Sequence, residues 1–340
     1  MGKRLVSLLK YLLFLGLGVF LIWWSLHQIP DAQWGAFKQS LQTARYWLIV
    51  PVFLILSCSH LVRALRWRIL MRPMGYTPSI PNTFFAVMIG YLANLAVPRL
   101  GEVLKCTILA RYEKVPAEKL VGTIVAERAV DVISLAIVFV LAMVSQYDVV
   151  GAFGSQLLHN IFENKAGHFS LQRIGVALGI LAALIIAIKI WFKQFAHLQI
   201  VIVFKKILKG IWEGLSSIKN LQQKKRFIFY TVVIWLLYIG GTWVGFSATL
   251  GTGHLGIQTA LSALAFASVG MILTPGGIGA YALLLAKVLE MNDVPIAIGV
   301  ANGTLQWFAQ FIIVLIVGLI ALGLLPFYNK RIHHESNTGN

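Results

Sequence analysis

The sequence predicts an all-α polytopic membrane protein, and three observations lead to this fold class. Of the 340 residues, 58% are hydrophobic and 12% are charged, which is about half the charged share of a globular domain. The apolar residues come in runs of roughly 20, the length that a helix needs to cross a bilayer. Lys and Arg outnumber Asp and Glu by 29 to 12, a surplus that the cytoplasmic loops of a membrane protein explain without a nucleic-acid partner.

About six of these runs are long enough to be full transmembrane helices. The first begins with basic residues, like a signal peptide, but its apolar run is too long and no cleavage site follows, so we expect a retained signal anchor. The mixed residues 28–45 are expected at the interface, and the basic amphipathic segment 193–226 is expected to lie on an anionic leaflet. The predicted full spans cover residues 8–27, 46–64, 117–145, 172–192, 227–249 and 295–324.

Two further apolar segments are interrupted by polar and small residues. The first covers 81–97 and 101–112 around NLAVPRLGE, and the second covers 257–273 and 279–290 around TPGGIG. Pro98 lacks a backbone N–H and breaks a helix. Residues 101–112 rise only about 18 Å as a helix, which is well short of the roughly 30 Å hydrocarbon core. We therefore expect two re-entrant hairpins whose tips meet near the middle of the membrane.

The distribution of basic residues predicts the orientation of the chain. Residues 63–72 hold four arginines, and residues 193–226 hold eight Lys and Arg against one acid. The segments 146–170 and 250–256 are poor in basic residues. The positive-inside rule then places both termini in the cytoplasm, together with 63–80, 193–226 and the tail 326–340.

The two halves of the chain match in the order of their elements. The spacing from Pro98 to Pro275 is nearly the same as the spacing from Pro116 to Pro295. The topology makes the halves inverted, and interrupted helices at matching places in an inverted repeat indicate a transporter's binding site. Coincident proline placement is the alternative. The predicted units are one membrane domain over 1–340, with repeats over 8–145 and 172–325.

The tip NLAVPRLGE combines features that favour anion binding. A half-helix that starts near Gly101 presents free N–H groups and the positive end of its dipole, and Gly101 permits an unusual turn. Arg99 can hold a phosphate through two parallel hydrogen bonds, and Glu102 can pair with Arg99 or with the start of the half-helix when no ligand is bound. A water-facing loop is the alternative, but charges inside a membrane are functional by default. With Asn94 and Lys105, these residues form the first part of the predicted substrate site.

The second tip, TPGGIG, has almost no side chains, so its backbone is accessible. The amides of Gly276, Gly277 and Gly279 are candidates for a second anion cradle. A tight helix-packing turn is the alternative reading. The motif is not a Walker loop, because no Gly-Lys-Ser/Thr follows.

The motif AERAVD places charges near the bilayer midplane. Glu127 and Asp131 share a helix face, and Arg128 reaches Asp131 at i+3. One acid is left without an obvious partner, so it is either protonated or paired with Arg99. Gating or proton coupling and a structural ion cluster both remain open. The neutral counterparts at the matching place in the second half are Gln306 and Gln310.

At RLGE, AERAVD and TPGGIG together, the chain resembles the membrane region of lysylphosphatidylglycerol synthases over roughly residues 8–325. In full-length members this region is similar to a flippase that moves a phospholipid headgroup between leaflets, while a separate soluble domain attaches the amino acid. That soluble domain is absent from this sequence, so synthase activity is not expected. In many relatives an acidic residue follows the second tip, whereas AYALLLAK stands here, so the same substrate is not implied. The matching pieces are Arg99-x-Gly101-Glu102 with Lys105, Glu127-Arg128 with Asp131, and Pro275-Gly276-Gly277-x-Gly279.

The expected function is translocation of a lipid with a phosphate-bearing headgroup, either a phospholipid or a polyprenyl phosphate, rather than enzymatic catalysis. A secondary carrier of a small anionic solute and a membrane transferase on a lipid-linked substrate are the alternatives. Neither cysteine has metal-ligand spacing, and no metal or cofactor is expected. The resemblance implies the inner cell membrane, and a homo-oligomer is left open.

Overall fold

The computed structural model describes residues 16, 19–97, 99–147 and 221–338, with side chains up to residue 330. Ten α-helices and four short 3-10 helices form the regular structure of these residues. In chain order the α-helices are α1 (19–27), α2 (Trp34–Gln42), α3 (Ile49–Met71), α4 (Ile80–Ala96), α5 (Leu100–Tyr112), α6 (Ala117–Ser145), α7 (Lys224–Phe246), α8 (Ile257–Leu273), α9 (Ala280–Glu290) and α10 (Ile296–Thr338).

Four of the described helices are long and apolar enough to cross a membrane. They correspond to the predicted spans that start near residues 46, 117, 227 and 295, so the chain is a polytopic helical membrane protein. The predicted span 172–192 and nearly all of the segment 193–226 lie outside the described residues, and 8–27 is described mainly over 19–27. The four spans are Tyr46–Met74, Ala117–Ser145, Lys224–Phe246 and Ile296–Lys330.

Two predicted boundaries are wrong. α3 continues to Met71, so residues 63–71 are helix, and within this stretch Arg63 and Arg66 pair with acids of α6 while Arg68 donates to Pro78 O. α10 runs on through Pro326, where the predicted tail was to begin. Asn329 Nδ2 donates a hydrogen bond to Leu325 O at 2.8 Å, which supports the helix just beyond the proline.

Both interrupted segments form hairpins of two short helices. α4 packs along α5, and α8 packs along α9. The longer arms, Ile80–Leu95 and Ile257–Leu273, fall short of the length of a full span. The hairpin tips also approach each other, because a Cβ built on Gly276 would lie 3.8 Å from Leu95 Cδ2.

Helices at matching positions in the two halves pack against helices that also occupy matching positions. α4 packs against α10 and α8 packs against α6, so each hairpin leans on the long helix that ends the other half. α3 packs on α4 as α7 packs on α8, while α3 and α7 pack on each other. This reciprocal arrangement supports the predicted repeat.

Polar side chains join each hairpin to the far end of the opposite long helix. In the first end cluster, Glu113 Oε1 accepts hydrogen bonds from Ser79 Oγ at 2.5 Å and Asn82 Nδ2 at 2.6 Å. Asn82 and Asn329 exchange two amide hydrogen bonds of 2.9 and 2.8 Å. This cluster therefore fixes α4 and α5 to the end of α10.

The second end cluster has the same position in the other half. Gln146 Nε2 donates to Thr259 Oγ1 at 3.2 Å and to Asn292 Oδ1 at 3.1 Å. Thr259 is the counterpart of Asn82, and Asn292 is the counterpart of Glu113, at the same spacings that relate the two pairs of prolines. The carboxylate of the first cluster is thus matched by a neutral amide in the second.

Candidate functional site

The centre of the first half is a buried ion cluster formed by Arg63, Arg66, Lys105, Glu127 and Asp131. Asp131 lies between the two arginines of α3. Its Oδ1 is 2.6 Å from Arg66 Nη2, and its Oδ2 pairs with Arg63 Nη2. Arg63 and Arg66 are one helical turn apart, so both guanidinium groups reach one carboxylate on α6.

Glu127 contacts three cations. Its Oε2 is 3.0 Å from Lys105 Nζ on α5. Its Oε1 is 3.2 Å from Arg63 Nε and 3.6 Å from Arg66 Nη2. Three helices, α3, α5 and α6, are therefore held together by the acids that α6 contributes.

Aromatic and hydroxyl groups complete the surroundings of these cations. Arg63 Nη1 donates to Tyr91 Oη at 2.9 Å and to Tyr238 Oη at 3.3 Å. Lys105 Nζ lies 4.3 Å from the ring centroid of Trp67, a cation–π contact. The cluster holds three cations and two anions, so one positive charge remains uncompensated.

The predicted partner of Arg128 is wrong. Arg128 pairs with Glu102 rather than Asp131, and both its Nε and its Nη2 are 3.2 Å from Glu102 Oε1. Consecutive residues point to different helix faces, so Arg128 reaches Glu102 on α5, while Asp131 faces the arginines of α3 and Glu127 contacts both α3 and Lys105 of α5. The predicted Glu102–Arg99 pair is not formed either, because Arg128 takes that carboxylate. Both side chains of the observed pair are exposed, to 49% and 38%.

The first hairpin tip turns at Arg99 rather than at Gly101. Arg99 is exposed and has a left-handed backbone, with φ +69°, while Gly101 lies inside α5. The Gly101 N–H donates to Asn94 Oδ1 at 2.8 Å, so Asn94 already occupies the amide that was predicted to face an anion. Pro98 lies outside the described residues.

Gly101 is required for close packing. A Cβ on Gly101 would overlap the carbonyl oxygen of Gly90 in α4. A Cβ on Gly90 would in turn lie 2.7 Å from Lys105 Cγ and 3.0 Å from Gly101 O. The absence of side chains therefore lets the two arms touch backbone to backbone.

The second tip uses its glycines for conformation. Gly276, Gly277 and Gly279 have φ of 63°, 75° and 72°, which other residues adopt only with strain. The Gly277 N–H donates to Thr274 O at 3.0 Å. Trp307 Nε1 on α10 donates to Gly276 O at 2.7 Å, so α10 fixes the tip from the side.

The second half contains a neutral network where the first half has ions. Gln306 Nε2 donates to Asn302 Oδ1 at 2.8 Å, and Asn302 Nδ2 donates to Gly245 O at 3.0 Å. Gln310 Nε2 donates to Tyr281 Oη on α9 at 2.9 Å. We call Asn302, Gln306, Gln310 and Tyr281 the neutral network; it joins α10 to α7 and α9.

A cavity of about 700 Å³ lies between the two halves of the described chain. It follows α3 from Ile49 to Arg63, a rise of about 21 Å, and most of its wall is aliphatic or aromatic. Among the predicted site residues, its wall contains Asn94, Arg128, Asp131, Gly276, Gln306 and Gln310. The others pack behind the wall or lie at the tips: Arg99, Gly101, Glu102, Lys105, Gly277, Gly279 and Glu127.

Sequence reasoning missed the arginines that matter most. Arg63 and Arg66 were interpreted as loop charges, yet the side chain of Arg66 is 0% exposed. Their spacing in LVRALRWRILM, one helical turn apart among apolar residues, was the available signal. His60, one turn earlier, also lines the cavity. Within the described residues, no three His, Cys, Asp or Glu side chains lie close enough together to hold a metal ion.

Comparisons with known proteins agree with this architecture. No solved structure matches the chain. The chain is 22% identical over 294 residues to a UPF0104 membrane protein of the archaeon Methanocaldococcus jannaschii, covering 81% of this chain and 83% of the relative. The family model described as the lysylphosphatidylglycerol synthase TM region matches residues 7–318. The chain therefore belongs to the family of the lysylphosphatidylglycerol synthase transmembrane region.

Proposed function

We propose that this membrane protein is a lipid translocase, which binds a phosphate-bearing headgroup in the central cavity and moves it between leaflets. The observation that carries the proposal is the composition of that cavity. One wall presents Arg63 and Arg128, while most of the remainder is apolar. An amphipathic lipid needs both surfaces at once: cations for its phosphate and an apolar wall for its chains.

Arg128 is the residue that we assign to the phosphate. It lines the cavity, and its only ion pair in the described chain is with Glu102, which is itself exposed. Because both side chains of this pair are accessible, a phosphate in the cavity can approach Arg128 and take the place of the Glu102 carboxylate. Arg99 and Lys105 were the candidates that the sequence predicted for the phosphate. Arg99 is exposed at the hairpin tip, outside the cavity wall, and Lys105 is buried against Glu127, so neither presents a free cation to the cavity.

Arg63 contributes in a different way. Asp131, Tyr91 and Tyr238 fix its guanidinium group, so it cannot follow a moving headgroup. It supplies a stationary positive charge at the deep end of the cavity. Glu127 and Asp131 accordingly hold the arginines in place, and no chemical step is assigned to the chain.

The proposed route begins at the end of α3 that carries Arg45 and Tyr46, both of which line the cavity. Arg45 N donates to Ala248 O at 2.8 Å, so the start of α3 and the end of α7 meet at this end. With both termini cytoplasmic, as the basic residues predict, this end faces the non-cytoplasmic side.

The experiment is a headgroup-accessibility assay with the full chain in liposomes. Fluorescent phosphatidylglycerol and a fluorescent polyprenyl phosphate are reconstituted separately, and bleaching by an impermeant reductant reports movement between leaflets. We expect the protein to accelerate one of them. Arg128→Gln should slow it about tenfold or more, because a hydrogen bond to a charged group contributes about 1.5–3 kcal/mol.

Lys287→Gln is the matched control, since Lys287 forms an exposed pair with Glu290 away from the cavity wall. It should move lipid at the wild-type rate. Liposomes with wild-type protein that behave like protein-free liposomes would overturn the proposal. Uptake of a soluble phosphate ester without lipid movement would favour a small-anion carrier.

A further inference from the structure

The charged groups of the cavity favour an occupant with net negative charge. Three arginines, Arg45, Arg63 and Arg128, line the wall against one acid, Asp131. That acid is already shared between two arginines of α3. In the part of the chain that the structure describes, the cavity therefore offers cations to an anion and no unpaired carboxylate to an ammonium group.

A phosphate linked to an amine would meet repulsion at this site. The amine of such a headgroup lies within a few ångströms of its phosphate, so both groups enter the same field. Desolvated like charges repel by several kcal/mol. A headgroup whose second group is neutral avoids this cost.

Neutral hydrogen-bonding groups occupy another part of the same wall. Gln310 donates through Nε2 to Tyr281 Oη at 2.9 Å, which leaves its carbonyl oxygen as an acceptor. Asn94 accepts the Gly101 N–H through Oδ1, which leaves its NH₂ group as a donor. Within the described residues neither of these remaining atoms has a partner, and both side chains line the cavity, as does Ser268.

A hydroxyl group suits this set better than other neutral groups. It donates to the Gln310 carbonyl and accepts from the Asn94 amide, since it carries one donor and two acceptor lone pairs. A quaternary ammonium group has no N–H for Gln310 and no lone pair for Asn94. The lining therefore offers cations for a phosphate and, from Gln310 and Asn94, an acceptor and a donor for hydroxyl groups.

We infer that the cavity selects lipids whose phosphodiester bears a neutral, hydroxylated group, such as glycerol or a sugar, over lipids with an amine headgroup. This inference rests on the proposed translocase function, because it assumes that the occupant is a lipid. It assigns specificity to Gln310 and Asn94, which hold the hydroxyl groups, and to Arg128, which holds the phosphate.

The test compares headgroups of one acyl composition in proteoliposomes of the full chain. The probes are phosphatidylglycerol, phosphatidylethanolamine, phosphatidylcholine and phosphatidic acid, with water-soluble glycerophosphoglycerol as a competitor. We expect phosphatidylglycerol to move about tenfold faster than either amine lipid, corresponding to about 1.4 kcal/mol. Gln310→Leu should reduce the rate for phosphatidylglycerol and spare phosphatidic acid, which has no second hydroxylated group.

Lys287→Gln should preserve the preference. Binding is tested separately as the quenching by brominated lipids that Trp235→Phe removes, because Trp235 lines the cavity. Equal rates for all four lipids would overturn the inference and leave the translocase intact. If no lipid moves faster than in protein-free liposomes and none quenches the cavity tryptophan, both the inference and the proposed translocase function are overturned. If glycerophosphoglycerol abolished lipid movement and was itself taken up into the liposomes, the substrate would be a soluble phosphodiester rather than a lipid.

Discussion

The buried ion cluster and the neutral network occupy matching places in the two halves, yet they hold their helices by different means. In the first half, α6 offers two carboxylates to cations on α3 and α5. In the second half, α10 offers two amides, Gln306 and Gln310, that bond a neighbouring amide and a phenol. Glu127 and Asp131 precede Gln306 and Gln310 by the same spacing in the sequence.

The two halves share an order of elements but differ in charge, so the two sides of the cavity between them are electrostatically unequal. A neutral network orients helices without generating a long-range field, whereas an ion cluster with an uncompensated cation does both. The cavity between them is therefore positive on one wall and neutral on the other. The contrast can be tested by replacing a carboxylate of the ion cluster with an amide and an amide of the neutral network with a carboxylate.

The largest effect is expected when the ion cluster loses a carboxylate. Glu127→Gln leaves Arg63, Arg66 and Lys105 with a single anion, and removing one partner of a buried pair costs about 3–5 kcal/mol. Unfolding in mixed micelles with increasing SDS, followed by tryptophan fluorescence, measures the loss.

Glu290→Gln is the control for this variant, because its pair with Lys287 is exposed and such pairs contribute about 0–1 kcal/mol. Adding Lys105→Met to Glu127→Gln removes one of the two surplus cations, which returns the cluster to the wild-type excess of one positive charge, and should restore part of the stability. Equal losses for Glu127→Gln and Glu290→Gln would show that the buried ions do not hold the helices.

The reverse change introduces a carboxylate into the neutral network. Gln306→Glu places an acid beside Asn302, Thr242 and Tyr281, with none of the cations that surround Glu127. A charge inside the membrane costs about 2.5–3.5 kcal/mol on insertion scales. The same unfolding assay should report a loss somewhat smaller than that of Glu127→Gln.

Gln306→Met separates charge from lost hydrogen bonds. Interhelical hydrogen bonds in membranes average about 0.6 kcal/mol, so this neutral variant should lose no more than about 1 kcal/mol. If Gln306→Glu proved as stable as Gln306→Met, the second half would tolerate ions and the contrast between the halves would disappear.

The smallest effect is expected at the end clusters. Glu113→Gln makes the first end cluster neutral like the second, while an amide oxygen remains to accept from Ser79 and Asn82. Only the charge-assisted part of these bonds is lost, about 1 kcal/mol. Glu118→Gln, an exposed position in the first turn of α6, serves as the reference and should lie within about 0.5 kcal/mol of wild type.

The sequence predicted the features that a single residue can encode. Proline and glycine interrupt a helix locally, so the hairpins around Arg99 and Gly276 were found close to their observed positions. Period and spacing placed Glu127 and Asp131 on one helix face, and the structure brings both to α3.

The side-chain contacts between different helices could not be predicted from the sequence. Arg63 and Arg66 resembled loop charges because a basic run at the end of an apolar stretch usually marks the cytoplasmic side. Only the packing of α3 on α6 shows that they are buried. The sequence likewise gave no sign that Asn94 Oδ1 would accept the Gly101 N–H at the start of α5, since Asn94 and Gly101 come together only after the chain has turned at the hairpin tip.

The contact between Gly90 and Gly101 bears on how the first hairpin can move. No side chain lies between the two backbones at this point, so the arms have nothing that can yield. The two arms are therefore expected to move together as one rigid unit. A displacement of the tip at Leu95, beside the second tip, would then also displace the far end at Asn82 and Glu113.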